Sequence, residues 1–196
     1  MRFDIKGYEE YAIKFSPIFI TSIAVILTLL SACSSTPQQP PATVASVDLQ
    51  RYSGLWYEIA RYENRFEAGC VGVMAHYTFQ GETMAVSNSC YDASGRLKAQ
   101  VKGKAKVIKE SNGSKLEVSF SWLSGGDYWI LMLADDYRYS VVGDPEGEYL
   151  WILSRDTVLT DDDKKTILSK ISALGYAPDK LYWTGFKAAC NAKSMR

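Results

Sequence analysis

His76 is the only histidine among 196 residues, and Cys70 lies six positions before it. A thiol beside an imidazole is the raw material of a nucleophilic mechanism, provided the two come within hydrogen-bond reach. Six residues of extended strand span about 20 Å, so this spacing holds the two groups apart. The chain has no Gly-x-Ser-x-Gly elbow, phosphate-binding glycine loop, Cys-x-x-Cys pair or zinc-ligand spacing. One histidine also leaves no His-rich metal centre. Neither cofactor nor metal is expected, and hydrolase chemistry is disfavoured.

Two other patterns carry more chemistry. Cys70 and Cys90 lie symmetrically about position 80, beside the turn residues Gly81 and Glu82. Antiparallel pairing of the flanking segments brings the two cysteines close enough to bridge in an oxidising compartment. Closing that loop is worth about 3 kcal/mol by chain entropy. Cys190 is then the odd thiol, and its pairing with Cys70 or Cys90 is the alternative. The second pattern is Glu58, two residues after Trp56 in Trp-Tyr-Glu-Ile-Ala. An acid turned into an apolar interior has its ionised form disfavoured by desolvation, unless Arg61 or Arg65 pairs with it. We expect it to be protonated near neutral pH and to help place a polar head group; the other reading is a hydrated polar layer near a packed end.

The elements that must position these residues are strands. From residue 47 onward, period-2 segments are separated by turn signals at Gly81-Glu82, Ser94-Gly95, Asn112-Gly113, Gly125-Gly126 and Asp144-Pro-Glu-Gly147. Strands are predicted near 55–62, 71–80, 84–91, 97–108, 115–121, 127–134, 138–143 and 148–155. Their short connections predict an antiparallel up-and-down meander, hence an all-β, eight-stranded barrel. Thr160 is a natural N-cap with Asp163 in the capping-box position, Ile167, Leu168, Ile171 and Leu174 form one apolar stripe, and Gly175 ends the helix. One stripe means one face docked outside the barrel. A last short strand, 180–186, can close on the first.

Alternation groups Leu116, Val118, Phe120 and Trp122, then Tyr128, Ile130 and Met132, then Trp151 and Leu153, on single faces. A barrel of this size has room for its own side chains or for one small ligand. With 22 basic and 22 acidic residues the chain carries no polybasic surface, so no nucleic-acid partner is expected.

Ahead of the barrel, residues 18–30 are an apolar run of thirteen, too short to span a bilayer, followed by Leu30-Ser-Ala-Cys33. This resembles the lipobox of bacterial lipoproteins. It implies a signal peptide over 1–32, a lipidated Cys33 with a Pro/Gln/Ser tether over 33–46, a barrel domain over 47–190 and a tail over 191–196. The serine after Cys33 resembles lipoproteins sorted to the outer membrane, with the barrel in the periplasm.

Arg51 to Arg61 reads RYSGLWYEIAR, Asp135-Asp136-Tyr137 stands later, and Leu150 to Arg155 reads LWILSR. In this order and spacing they resemble the three signatures of lipocalins, in the form of bacterial lipocalins and apolipoprotein-D-like proteins. The resemblance implies that Trp56 plugs one end of the barrel, that Arg155 lies across its ring, and that Gly54, Asp136 and Tyr137 are scaffold. With Trp56 and Arg155 inward, the implied cavity wall is Glu58, Ala60, Val118, Phe120, Tyr128, Ile130, Met132, Trp151 and Leu153, with Ala75 and Tyr77 subject to the parity of the second strand. The implied function is a membrane-anchored carrier of fatty acids or lysophospholipids in envelope maintenance. Dimers occur among bacterial relatives, but no outer apolar stripe is distinct enough to carry a homodimer over. A side-chain-filled structural barrel and a lipocalin-fold isomerase or synthase are the alternatives.

Overall fold

Period-2 alternation becomes nine strands in the computed structural model, which describes residues 39–120 and 123–185. The segment expected to be a signal peptide, Cys33, Trp122, Cys190 and residues 191–196 lie outside the described residues. A single turn of helix, α1 (Leu49–Tyr52), precedes β1 (Gly54–Tyr62). There follow β2 (Gly72–Phe79), β3 (Thr83–Tyr91), β4 (Leu97–Val107), β5 (Lys115–Phe120), β6 (Leu123–Leu133), β7 (Tyr139–Gly143) and β8 (Leu150–Ser154). The helix α2 (Asp161–Ala173) and the short β9 (Leu181–Trp183) are the last helix and strand among the described residues.

Each strand pairs antiparallel with the next, and β1 pairs with both β8 and β2, which closes the eight-stranded barrel. Closure removes the exposed edges that would otherwise template aggregation. Four pairings carry a register shift, and two of these set which side chains reach the interior. In β1 the pairing with β8 shifts between Glu58 and Ala60, and in β6 the pairing with β7 shifts between Ile130 and Met132. The extra residue at each bulge bends its strand. Only Gly54 to Tyr57 of β1 pair with β2; after the bulge, Ala60 to Tyr62 pair with β9.

Two apolar layers result. The inner one joins Tyr52, Trp56, Met84, Leu116, Ile130 and Leu153 inside the barrel. The outer one joins Ile59, Ala60, Leu131, Val141 and Ile152 to Ile167 and Ile171 of α2. The helix stripe docks outside the sheet, and Gly175 leaves it at φ 89°, a left-handed conformation that glycine adopts without a steric penalty. Thr160 caps as expected, its hydroxyl accepting from Asp163 N at 3.1 Å. The reciprocal half of the capping box is absent, because the Asp163 carboxylate instead takes Arg138 at 2.6 Å. That bond ties the helix N-terminus to the start of β7 and holds the Asp163 carboxyl below the usual range.

Candidate functional site

α1 and the beginning of β1 form the floor. Tyr52 and Trp56 are fully buried, and the Trp56 indole donates to Tyr52 O at 2.8 Å. The Arg155 guanidinium lies 3.7 Å from the centre of the Trp56 ring. Its nitrogens donate to the carbonyls of Arg51, Tyr52, Ser53 and Leu55. The Arg51, Tyr52 and Ser53 carbonyls lie at the C-terminal end of α1 and Leu55 O at the start of β1, so the cation satisfies acceptors left open where the helical turn passes into the strand. Gly54 has φ 99°, and a Cβ there would come 3.3 Å from Arg155 Nη1. Tyr137 pins the same end: its hydroxyl accepts from Asp48 N at 2.9 Å, and Arg51 stacks 4.0 Å above its ring. Asp136 accepts from Arg138 at 2.9 Å.

Above the floor the inward tyrosines meet. The Tyr52 hydroxyl lies 2.9 Å from that of Tyr128 and donates to Ser140 at 3.0 Å, while Tyr128 donates to Tyr77 at 3.2 Å. Burial pushes Tyr52 up to about 12, and raises Tyr77 and Tyr128 further. All three are neutral hydrogen-bonding groups at physiological pH.

Over them opens a cavity of about 560 Å³, within the size range of small-molecule sites. Glu58, Ala75, Tyr77, Val118, Phe120, Tyr128, Trp151 and Leu153 are on its wall. Ala60, Ile130 and Met132 are not. Ala60 and Met132 follow the two bulges, each of which reverses inside and outside, so both pack in the outer layer under α2. Ile130 faces inward but is fully buried in the inner layer near the floor, where its amide donates to Ser114 O. The wall also includes Met84 and Val86 of β3, and Val101 and Ala105 of β4. Their signal was the alternation of those strands, which in β4 sets Val101 and Ala105 opposite the outward Lys102, Lys104 and Lys106.

A polar cluster interrupts the apolar wall. Because of the bulge, Glu58 and Arg61 share a face three residues apart; Arg61 Nη1 donates to Glu58 Oε1 at 2.6 Å, and both side chains are almost wholly buried. Arg61 Nε is 3.4 Å from Glu67 Oε2, which also accepts from Asn64 at 2.9 Å and from the Trp151 indole at 3.2 Å. Burial, then the nearby Glu67, push the Glu58 carboxyl up to about 8 against the opposing pull of Arg61. Two acids share one guanidinium, and a proton on Glu58 makes the buried set neutral. Asn88 Oδ1 on the same wall is buried and has no hydrogen-bond partner.

Cys70 and Cys90 form a disulfide with Cα atoms 5.3 Å apart. The hairpin centre lies beyond position 80, since Phe79 pairs with Met84 and Val73 with Cys90. Cys70 therefore reaches its partner from the turn before β2 rather than from directly opposite. Bonded to Cys90, its sulfur is no nucleophile, and His76 is exposed on the outside of the barrel.

A lipocalin-like domain family matches residues 47–185. The chain is 36% identical over 157 residues to the outer membrane lipoprotein Blc of Citrobacter freundii, covering 79% of this chain and 89% of that one. It is 34% identical to Blc of Escherichia coli K12, covering 84% and 94%, and 33% identical to temperature-induced lipocalin-1 of Arabidopsis thaliana, covering 76% and 84%. Among solved structures, insecticyanin of Manduca sexta superposes with a TM-score of 0.64 at 22% identity over 79% of this chain and 90% of that one. Apocrustacyanin C2 gives 0.62 at 19% over 81% and 97%. These two show the fold. A sequence match that runs the length of the barrel, from ahead of its sealed floor to β9, means that the chain belongs to the lipocalin family.

Proposed function

We propose that this protein is a lipid-anchored lipocalin of the outer membrane that binds a single-chain lipid, a fatty acid or lysophospholipid, in the barrel for envelope maintenance. The observation that carries the reading is the cavity of about 560 Å³, apolar in its lower walls and closed beneath by Trp56 and Arg155. A filled structural barrel would leave no such space. The cavity also has polar groups, Glu58, Asn88 and the Trp151 indole, where an amphiphile would need them. The relatives named outer membrane lipoprotein support the location, and so do the lipobox-like Leu-Ser-Ala-Cys33 and a disulfide suited to an oxidising compartment. The barrel then lies in the periplasm, tethered through Cys33.

Trp151 is the built-in reporter. Titration with palmitate or a lysophospholipid is expected to shift or quench tryptophan fluorescence saturably, with the change lost in Trp151→Phe. Ligand recovered after incubation is expected to be chemically unchanged; a converted product would favour the isomerase or synthase reading. No saturable change with any single-chain lipid would contradict the proposal.

A further inference from the structure

The connections β1–β2, β3–β4 and β7–β8 surround the end of the barrel opposite Trp56, and their charges are unequal. Glu58, Glu67, Asp127, Asp144, Glu146 and Glu148 face the cavity or its mouth, against Arg65 and Lys98. Arg61, behind the wall, is already engaged by Glu58 and Glu67. Arg65 lies over the Phe66 ring, and Lys98 donates to Ala68 O. Of the acids, Asp144 caps its own turn through Tyr149 N, and Asp127 accepts from Trp129. Glu146 and Glu148 are exposed and make no ion pair among the described residues.

Beside these two acids runs a row of rings. Tyr149 and Trp151, two residues apart and on one face, stack with centroids 5.6 Å apart and planes 7° apart. Phe66, from the turn after β1, continues the row at 5.9 Å from Tyr149 and is 40% exposed. All three rings line the cavity. A row of rings at the rim of an acidic mouth suits an organic cation, which would share Phe66 with Arg65, 5.1 Å from that ring's centre. Ring faces attract it through their quadrupole, and the carboxylates add a field of the right sign. The same field opposes a carboxylate: with the Glu58, Glu67 and Arg61 set neutral, its entry would place one more negative charge among four acids, Asp127, Asp144, Glu146 and Glu148, and two cations, Arg65 and Lys98.

We infer that the mouth selects a single alkyl or acyl chain ending in an ammonium or trimethylammonium group, seated on Phe66, Tyr149 and Trp151 and faced by Glu146 and Glu148, over the same chain ending in a carboxylate. The inference rests on the proposed function, since it requires the cavity to hold the chain.

Matched probes with one chain length separate head from tail: dodecyltrimethylammonium, 1-dodecanol and laurate, each below its micellar range. Each is measured by displacement of a neutral fluorescent probe from the intact protein at neutral pH. The ammonium is expected to bind about ten-fold more tightly than the alcohol, and laurate more weakly than either. The double variant E146Q/E148Q, at two exposed positions, is expected to lower affinity for the ammonium several-fold and leave the alcohol unchanged; Tyr149→Leu acts in the same direction. Lysophosphatidylcholine against lysophosphatidic acid of equal chain length extends the comparison to phospholipid heads, the choline form binding more tightly. Laurate binding as tightly as the ammonium, or ammonium affinity indifferent to both variants, would overturn the inference. Failure of every probe, the neutral alcohol included, would remove instead the cavity reading beneath it.

Discussion

Arg155→Met tests how the floor is held. Arg155 gives one bond of 2.6 Å to Leu55 O and shares a second nitrogen among the Arg51, Tyr52 and Ser53 carbonyls at 3.0 to 3.2 Å. It also covers the Trp56 ring at 3.7 Å. The carbonyl contacts amount to two effective charge-assisted bonds, each worth about 1.5 kcal/mol at the lower, part-exposed end of the range. The cation–π contact adds about 1 kcal/mol. Methionine keeps much of the aliphatic packing and removes both, so the loss expected is about 4 kcal/mol, large against a typical total of about 5 to 15 kcal/mol. Arg155→Lys keeps the charge but loses the fork, and is expected to fall between the two. Urea unfolding followed by circular dichroism measures it, with the slope unchanged if only the native state is weakened. A loss below about 1 kcal/mol for Arg155→Met would refute the account of the floor, because contacts at these distances would then contribute almost nothing.

Three other outcomes follow from the same geometry. Glu58 binds its proton up to about pH 8 when folded but releases it near the ordinary glutamate value when unfolded. The folded state therefore holds the extra proton between those values, and stability should fall as pH rises through that window. Urea midpoints from about pH 5 to about pH 8 should decline for the wild type more than for Glu58→Gln; parallel curves would contradict the buried, desolvated carboxyl. Replacing Cys70 and Cys90 together by serine should cost about 3 kcal/mol, from the 20-residue separation of the bonded pair, read from the urea midpoint with and without reductant. Val118→Trp should fill part of the cavity and lower lipid affinity at least about ten-fold, while changing stability by no more than about 3 kcal/mol. Unchanged affinity would place the ligand elsewhere.

The strands and the helix were legible because a half-buried sheet must alternate and a docked helix must carry a stripe. The floor was legible through the family resemblance of the segments around Trp56 and Arg155, which implied their contact; residue types alone did not place them together. The bulges were not. An inserted residue at Ile59 or Leu131 leaves no mark in composition, yet it moves Ala60 and Met132 out of the cavity and turns Arg61 inward beside Glu58. The mouth was equally hidden, since Phe66 lies in a turn and Tyr149 just before its strand, where periodicity has nothing to say about direction. The disulfide tolerated an error of register because Cys70 stands in a turn that can bend toward Cys90.

Native mass spectrometry of the full chain, taken from its host membrane in mild detergent, shows whether the barrel holds a lipid. The expected species is a protein carrying acyl groups at Cys33 and, beyond them, one non-covalent single-chain lipid per barrel that Val118→Trp displaces. A barrel that arrives empty, and stays empty when offered such lipids, would contradict the proposed function.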